Sequence, residues 1–391
     1  MNKNNFEIPN HISLYIHIPF CKTKCFYCDF NTYTKIEVLI PSYIKALESE
    51  VYFWSKYLNG TKIKSIFIGG GTPSYLPENY IQQLLNTIFS KFNIKEYSEI
   101  TLESNPNDLS KKKLNTYKNS GINRISMGVQ SFNNLLLQNL GRRHSQENAI
   151  EAYYLAKEAG FENISIDLMY GLPNQSMHQW EETLSKLLNL KPLHVSMYGL
   201  TLEEGTPMNE WVKTGQLTKP DDDLAAEMYI KAEDTMFNNN YSHYEISNWA
   251  IPGFESTHNL NYWNNNAYLG IGPGAHSYIP PYRFSNIKSP REYIKYLNNI
   301  SINKEDLIFI DINEKINPPL EISETIMLGL RLNTGIKIKE FVERFAINPI
   351  ERYRDIFDDL KKDNLIEFSN TYIKLTPKGR LLSNEVFLKF F

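Results

Sequence analysis

All three cysteines of this 391-residue chain lie in one short segment, as Cys21, Cys25 and Cys28 in a C-x3-C-x2-C spacing. A disulfide would use two thiols and strand the third, and a structural zinc site ordinarily takes four protein ligands. Three thiolates on a short loop suit a [4Fe–4S] cluster with one iron left open, because cysteine thiolates are the usual cluster ligands. From these residues alone, zinc-binding or simply buried thiols stay open as alternatives. The flanking sequence places the triad. Residues 12–18 alternate loosely and carry β-branched and aromatic side chains, so they read as a strand that Pro19 ends, with the cysteines on the loop beyond.

The rest of the chain repeats that unit. A helix is expected over 41–58, opening on Pro41, and a strand over 64–68 that breaks into Gly69-Gly70-Gly71-Thr72-Pro73. Consecutive glycines after a strand let backbone approach a ligand closely. Strands then alternate with helices: strand 99–103, helix 109–118, strand 124–129, helices 133–139 and 146–159, strand 163–169, helix 178–190, strand 194–200 and helix 221–238, with Asp221 or Asp222 as N-cap. Six βα units in order predict an α/β fold whose parallel sheet curls into a partial, (β/α)6-type barrel. Active sites of such barrels collect at the carboxyl ends of the strands. Glu103, Gln130 and Asp167 each fall at or near a strand end, as do the glycines at 69–71.

Past the barrel, 241–249 reads as a seventh strand, and 258–276, mixing Asn, Gly and aromatics without helical period, as a functional loop. A helix is expected over 291–297. Helices over 323–332, 338–345 and 349–363 precede strands 366–368 and 372–375, a pattern like a small winged-helix domain. The chain thus divides into a barrel core (1–240), a barrel extension (241–300), a connector (301–319) and a C-terminal domain (320–391).

Lys and Arg number 41 against 44 Asp and Glu, a formal net charge of −3, which gives no electrostatic case for nucleic acid. The acidic run Asp355-Ile356-Phe357-Asp358-Asp359 argues the same for the C-terminal helices. No apolar run approaches the ~20 residues of a membrane span, and residues 1–7 lack the apolar region of a signal peptide. Thiols without partners indicate a reducing compartment, hence the cytoplasm.

Taken together, Tyr-Ile-His-Ile-Pro-Phe-Cys (15–21), Gly-Gly-Gly-Thr-Pro (69–73), Ser-Met-Gly-Val-Gln-Ser-Phe (126–132), Leu-Gly-Arg-Arg-His (140–144), Ile-Asp-Leu-Met-Tyr-Gly-Leu-Pro (166–173) and His-Asn-Leu-Asn-Tyr-Trp (258–263) resemble the coproporphyrinogen dehydrogenase-like branch of radical S-adenosylmethionine (SAM) proteins. Within that branch they are most similar to the heme-chaperone subfamily. The resemblance covers nearly the whole chain. It implies a radical SAM barrel with the C-terminal domain of that branch, and assigns Cys21, Cys25 and Cys28 to a [4Fe–4S] cluster. Tyr15 and Gly70 with Glu103 would line the SAM that coordinates the cluster. Tyr27, Gly71, Thr72, Gln130, Arg142 and Asp167 match positions that the porphyrinogen-oxidising members use for a second SAM.

Two departures bear on activity. The oxygen-independent dehydrogenases carry a fourth cysteine two residues after the third, where this chain has Phe30, and a longer segment ahead of the motif than the 14 residues before Tyr15. The His-Asn-x-x-Tyr-Trp segment instead implies heme contact through His258, since neutral imidazole is a common axial ligand to heme iron. His276 is a weaker alternative, and His17 is expected to orient backbone near the cluster loop. The expected function is a chaperone that binds heme and delivers it to apo-hemoproteins, such as membrane respiratory proteins, on an oxidoreductase-like scaffold served by an electron donor. The alternative is an oxygen-independent coproporphyrinogen III dehydrogenase that decarboxylates propionate side chains through 5′-deoxyadenosyl radicals.

Overall fold

The computed structural model describes residues 7–298 and 309–391; residues 1–6 and 299–308, which include the first part of the connector expected over 301–319, lie outside the described residues. Six parallel strands carry the first half of the chain: β1 (His11–Ile18), β2 (Lys62–Gly70), β3 (Asn93–Ser104), β4 (Arg124–Gln130), β5 (Asn163–Tyr170) and β6 (His194–Gly199). They pair in chain order, each with the next. Between and after them run α1 (Ile40–Tyr57), α2 (Glu78–Lys91), α3 (Lys111–Asn119), α4 (Asn134–Asn139), α5 (Gln146–Glu158), α6 (Met177–Leu190), α7 (Pro207–Lys213) and α8 (Asp222–Asn238). The expected α/β barrel alternation is therefore present, with α2 and α7 additional helices that the sequence did not lead one to expect.

Why the barrel forms is legible in β1. Ile12, Leu14, Ile16 and Ile18 are fully buried on the face that meets the helices. The period of two sends Ser13, Tyr15 and His17 to the other face, the barrel interior. Register then stacks interior residues in layers: Ser13 opposite Ser65, Tyr15 opposite Phe67, Glu103 opposite Ser126, Gly128 opposite Asp167, Asp167 opposite Ser196. The outer face is aliphatic and the inner one polar and aromatic, an arrangement suited to an interior that holds ligands. Capping boxes at Ser145/Asn148 and Ser176/Gln179 start α5 and α6.

Beyond α8 the chain departs from expectation. The seventh strand expected over 241–249 is present as two short ones, β7 (Ser242–Glu245) and β8 (Asn248–Ala250), which form a hairpin with β8 antiparallel to β6. The segment expected as a loop, 258–276, opens with a helix, α9 (Thr257–Trp263), and continues into β9 (Tyr268–Ile271). β9 pairs parallel with β1 on the side away from β2. The sheet then extends antiparallel through β10 (His276–Ile279), β11 (Tyr282–Asn286) and β12 (Ile310–Lys315), with α10 (Pro290–Asn298) between the last two. β12 falls inside the stretch expected to be a connector, because its pairing partner β11 lies elsewhere in the chain and leaves no local sign.

A second hydrophobic cluster gathers the C-terminal residues: Ile326, Leu330, Phe341, Phe357, Leu360, Ile373 and Val386 are among its buried members. It is built from α11 (Pro318–Leu330), β13 (Ile336–Lys337), α12 (Ile338–Phe345), α13 (Pro349–Arg352), α14 (Arg354–Lys362), β14 (Ile366–Phe368), β15 (Tyr372–Leu375), α15 (Pro377–Leu381) and α16 (Ser383–Phe387), with β13, β15 and β14 in one antiparallel sheet. Arg380 on Glu233 of α8 (2.7 and 3.0 Å) and Arg344 on the Asn264 and Asn265 carbonyls (3.2 and 3.0 Å) tie it to the barrel. Among the described residues no helix is long and apolar enough to cross a membrane.

Candidate functional site

At the carboxyl ends of β1–β6 lies a cavity of ≈ 340 Å³. Its walls include Cys21, Cys25, Cys28, Tyr27, Gly70, Gly71, Thr72, Glu103, Gln130, Arg142 and Asp167, so the residues that the resemblance assigned to cluster and SAM converge there, Tyr15 excepted. The histidines singled out in the sequence, His17, His258 and His276, lie outside the wall.

The cysteine loop is held at several points. Cys21 N–H donates to the Tyr33 carbonyl (3.0 Å), and the Cys28 N–H to the Cys25 carbonyl (3.2 Å). Phe26, at the tip, donates its N–H to Leu140 O (3.2 Å), accepts from Met208 N–H (3.0 Å) and packs edge-on against Trp211. A Cβ at Gly71 would lie 2.8 Å from Phe20 O and 3.0 Å from Cys21 Sγ, so this glycine lets the second strand end close against the thiol. Arg142 Nη1 is 3.4 Å from Cys25 Sγ, its Nη2 donates to Gly128 O, and its Nε is buried without a partner among the described residues. All three thiols are free. Burial pushes those of Cys21 and Cys28 up from their ordinary values, so ligation as thiolates calls for a counter-charge such as iron.

Among the described residues no three His, Cys, Asp or Glu side chains converge on one point to hold a single metal ion. A [4Fe–4S] cluster does not ask for that, because it takes one thiolate per iron. Free thiols around a cavity, a glycine wall beside Cys21 and an unpartnered guanidinium nitrogen beside Cys25 fit a cluster better than one zinc ion.

The opposite wall is acidic. Gly70, with φ of +109°, donates its N–H to Glu103 Oε2 (3.0 Å). Burial, reinforced by the Asp167 charge, pushes the Glu103 carboxyl up to about 8. Burial also raises Asp167, against hydroxyl bonds from Ser126 (3.0 Å) and Ser165 (3.2 Å). Two buried carboxyls held up in this way are suited to a cationic ligand, whose charge would restore both to the ionised form. Gln130 sits in the left-handed region at φ of +69°, where the β4–β5 register shifts, a strained position of the kind that gathers at functional sites. His144 Nε2 bonds the neighbouring Val129 carbonyl (2.9 Å) and pins that turn.

Other cavity residues were missed in the sequence, among them Met169, Asn105 and Tyr198. The strand-end rule could have found Tyr198, which closes β6 and is partly exposed. Phe30, 61 % exposed, stands at the rim.

His258 is at the other end of the barrel. Its ring stacks on Phe67, Nδ1 pairs with Ser65 Oγ (2.9 Å) and Nε2 with Tyr262 Oη (3.1 Å), leaving it 1 % exposed. Burial drops its pKa to about 3, so the imidazole is neutral. The Glu99 carboxylate accepts from the N–H groups of Thr257 (3.0 Å) and His258 (3.1 Å) and from Ser256 Oγ (3.3 Å), which starts α9 where the sequence showed a loop. Tyr15 lies between the two ends, its hydroxyl 3.0 Å from His17 Nδ1. His276 opens β10 with its side chain exposed.

Residues 15–187 match the Radical SAM superfamily, and residues 316–382 the HemN C-terminal domain. The heme chaperone HemW of Lactococcus lactis is 38 % identical over 379 residues, covering 97 % of each chain. That of Bacillus subtilis is also 38 % identical, over 97 % of this chain and 98 % of its own. The coproporphyrinogen III oxidase HemN of Escherichia coli superposes with a TM-score of 0.86 at 23 % identity, over 99 % of this chain and 92 % of that one, a likeness of fold. With identity held end to end against these relatives, the chain belongs to the HemW family of radical SAM proteins.

Proposed function

We propose that this protein binds heme and passes it to apo-hemoproteins, using a scaffold that carries a [4Fe–4S] cluster and SAM at the carboxyl end of the barrel. The observation that carries this reading is the end-to-end match to relatives named as heme chaperones. It is supported by Phe30, which stands at the pocket rim where decarboxylating members of the branch place a further cysteine.

In this proposal Cys21, Cys25 and Cys28 hold three irons of the cluster. Bound together, cluster and SAM supply one-electron chemistry at the sulfonium. The chain's own residues do the positioning. Glu103 takes the methionine ammonium, Gly70 and Gly71 admit the methionyl backbone, and Asp167 accepts from ribose hydroxyls. Arg142 holds Cys25 and pairs with a carboxylate, while Tyr27, Thr72 and Gln130 line the remaining wall and Tyr15 supports it from within.

His258 is kept as the heme ligand of the proposal. Its neutral imidazole suits iron. Ligation there requires α9 to release the ring from Ser65 and Tyr262. The clients are apo-hemoproteins, an electron donor serves the cluster, and the free thiols favour the cytoplasm as the working compartment.

The test is anaerobic. Protein reconstituted with iron and sulfide, with its cluster verified by electron paramagnetic resonance, is given SAM, reductant and coproporphyrinogen III, and in parallel is titrated with heme and mixed with an apo-cytochrome. Heme uptake and transfer without porphyrinogen turnover is the expected result. Protoporphyrinogen appearing with 5′-deoxyadenosine would overturn it in favour of the dehydrogenase.

A further inference from the structure

The run Gly270-Ile271-Gly272-Pro273-Gly274 has no part in the pocket wall, yet it touches the cysteine loop. Asn31, three residues after Cys28, reaches it from the loop after β1, the strand that β9 pairs with. Asn31 Nδ2 donates to Pro273 O (3.0 Å) and Lys288 O (3.0 Å), and its Oδ1 accepts from Tyr33 Oη (3.0 Å). The Asn31 carbonyl accepts from His17 Nε2 (2.9 Å), which fixes the tautomer: Nε2 carries the proton and Nδ1 accepts from Tyr15 Oη. Every polar atom of the Asn31 side chain is thereby engaged.

The turn that receives it is shaped to do so. Gly274, at φ of +72°, has no space for a side chain, since a Cβ would lie 2.5 Å from Asn31 Nδ2. A Cβ at Gly272, at φ of +108°, would lie 2.8 Å from His17 O. The turn is anchored from behind by buried Glu50, whose carboxylate accepts from Gly272 N–H (2.9 Å), Asn286 Nδ2 (2.7 Å), Trp54 Nε1 (3.2 Å) and the Tyr293 hydroxyl. Asn286 Nδ2 also bonds Gly272 O (2.9 Å).

On its pocket side the same chain of contacts reaches the glycine wall. The His17 ring fills the space a Cβ on Gly70 would need, at 2.5 Å, and Gly70 N–H is the group that holds Glu103. One rigid path therefore runs from Glu50 through the turn and Asn31 to His17 and Gly70, with the cysteine loop hanging from its middle.

We propose that Asn31, seated on the Gly272–Gly274 turn, is a positioning residue that sets the distance between the cysteine loop and the glycine-and-glutamate wall, so that SAM held on that wall meets the cluster. The inference rests on the cluster-and-SAM reading of the pocket, and heme plays no part in it.

The experiment uses the full chain, reconstituted anaerobically, as wild type, Asn31→Ala, Asn31→Asp and Gly274→Ala. Iron and sulfide content, the spectrum of the reduced cluster with and without SAM, and the SAM dissociation constant are measured for each. Asn31→Asp keeps side-chain size and the Tyr33 bond while losing both donated bonds, so it serves where Asn31→Ala or Gly274→Ala folds poorly. Expected are iron loading close to wild type, SAM binding weaker by about tenfold or more, and a reduced SAM-induced spectral change in all three variants. SAM binding and spectral change within about threefold of wild type in Asn31→Ala and Asn31→Asp would overturn the proposal. So would loss of iron loading in folded Asn31→Asp, which would make the residue a holder of the cluster. A wild-type cluster that ignores SAM would count against the cofactor reading instead, and so separates the two.

Discussion

The two ends of this barrel both carry buried polar residues and differ in what those residues have left to give. At the amino end, His258, Ser65, Tyr262 and Glu99 bond one another, and the histidine has both nitrogens occupied. At the carboxyl end, three free thiols and two carboxyls raised by burial face a cavity, and behind them the Arg142 Nε is buried without a partner among the described residues. Buried polar groups are ordinarily satisfied, so polar groups turned toward open space mark where a ligand goes. A motif residue that is already satisfied reads first as structure. By that measure the cysteine end is suited to ligands, and the His258 cluster is closed.

The contrast can be broken at either end. The largest effect is expected from Cys25→Ser, which should abolish the [4Fe–4S] absorbance and paramagnetic signal while leaving the circular dichroism of the fold in place; a full cluster in that variant would undo the assignment. His258→Ala should cost about 2–4 kcal/mol in urea unfolding, by opening a cavity and stranding the Tyr262 hydroxyl, while Ser65 keeps its bond to Ser13. If stability is unchanged while heme affinity collapses, the amino end is a binding site as it stands and the contrast fails. Glu103→Gln should weaken SAM binding about 10- to 100-fold, through loss of a charge-assisted bond in a low-dielectric site.

A pH series sharpens the same point. With its carboxyl at about 8, Glu103 is mostly protonated at neutral pH in the ligand-free protein. Binding an ammonium ion there must expel that proton, so SAM affinity should rise by up to about tenfold per pH unit toward pH 8 and level off above it. Calorimetry in buffers of different ionisation enthalpy should register the released proton near pH 7. The smallest effect belongs to Phe30→Ala. A side chain exposed at the rim should change stability by no more than about 0.5 kcal/mol and leave cluster loading alone.

What the sequence disclosed follows the same division. The strands of β1–β6 were legible because their outer faces are unbroken aliphatic runs, and the cysteine triad because its spacing is local. Glu103 and Asp167 could be placed by counting to strand ends. Three of the things that were not legible share one cause. α9 spans seven residues, too few to display a helical period, and its start depends on a carboxylate 159 residues from His258. β12 is recognisable only beside β11. The bond from Arg142 to Cys25 spans 117 residues and assigns Arg142 a place at the cysteine loop that no spacing could indicate. In each case the deciding partner is remote in the chain.

The pairing of β9 with β1 has a consequence in time. β1 leaves the ribosome first, yet its second neighbour is Tyr268–Ile271, so one whole edge of the founding strand stays unpaired while some 250 residues are made. At typical synthesis rates that interval is about 10–50 s. An open hydrophobic edge invites pairing with other chains, and Asn31 cannot find Pro273 before the wait ends. The cysteine loop therefore reaches its final setting only after about two thirds of the chain has been made, however early its own residues emerge.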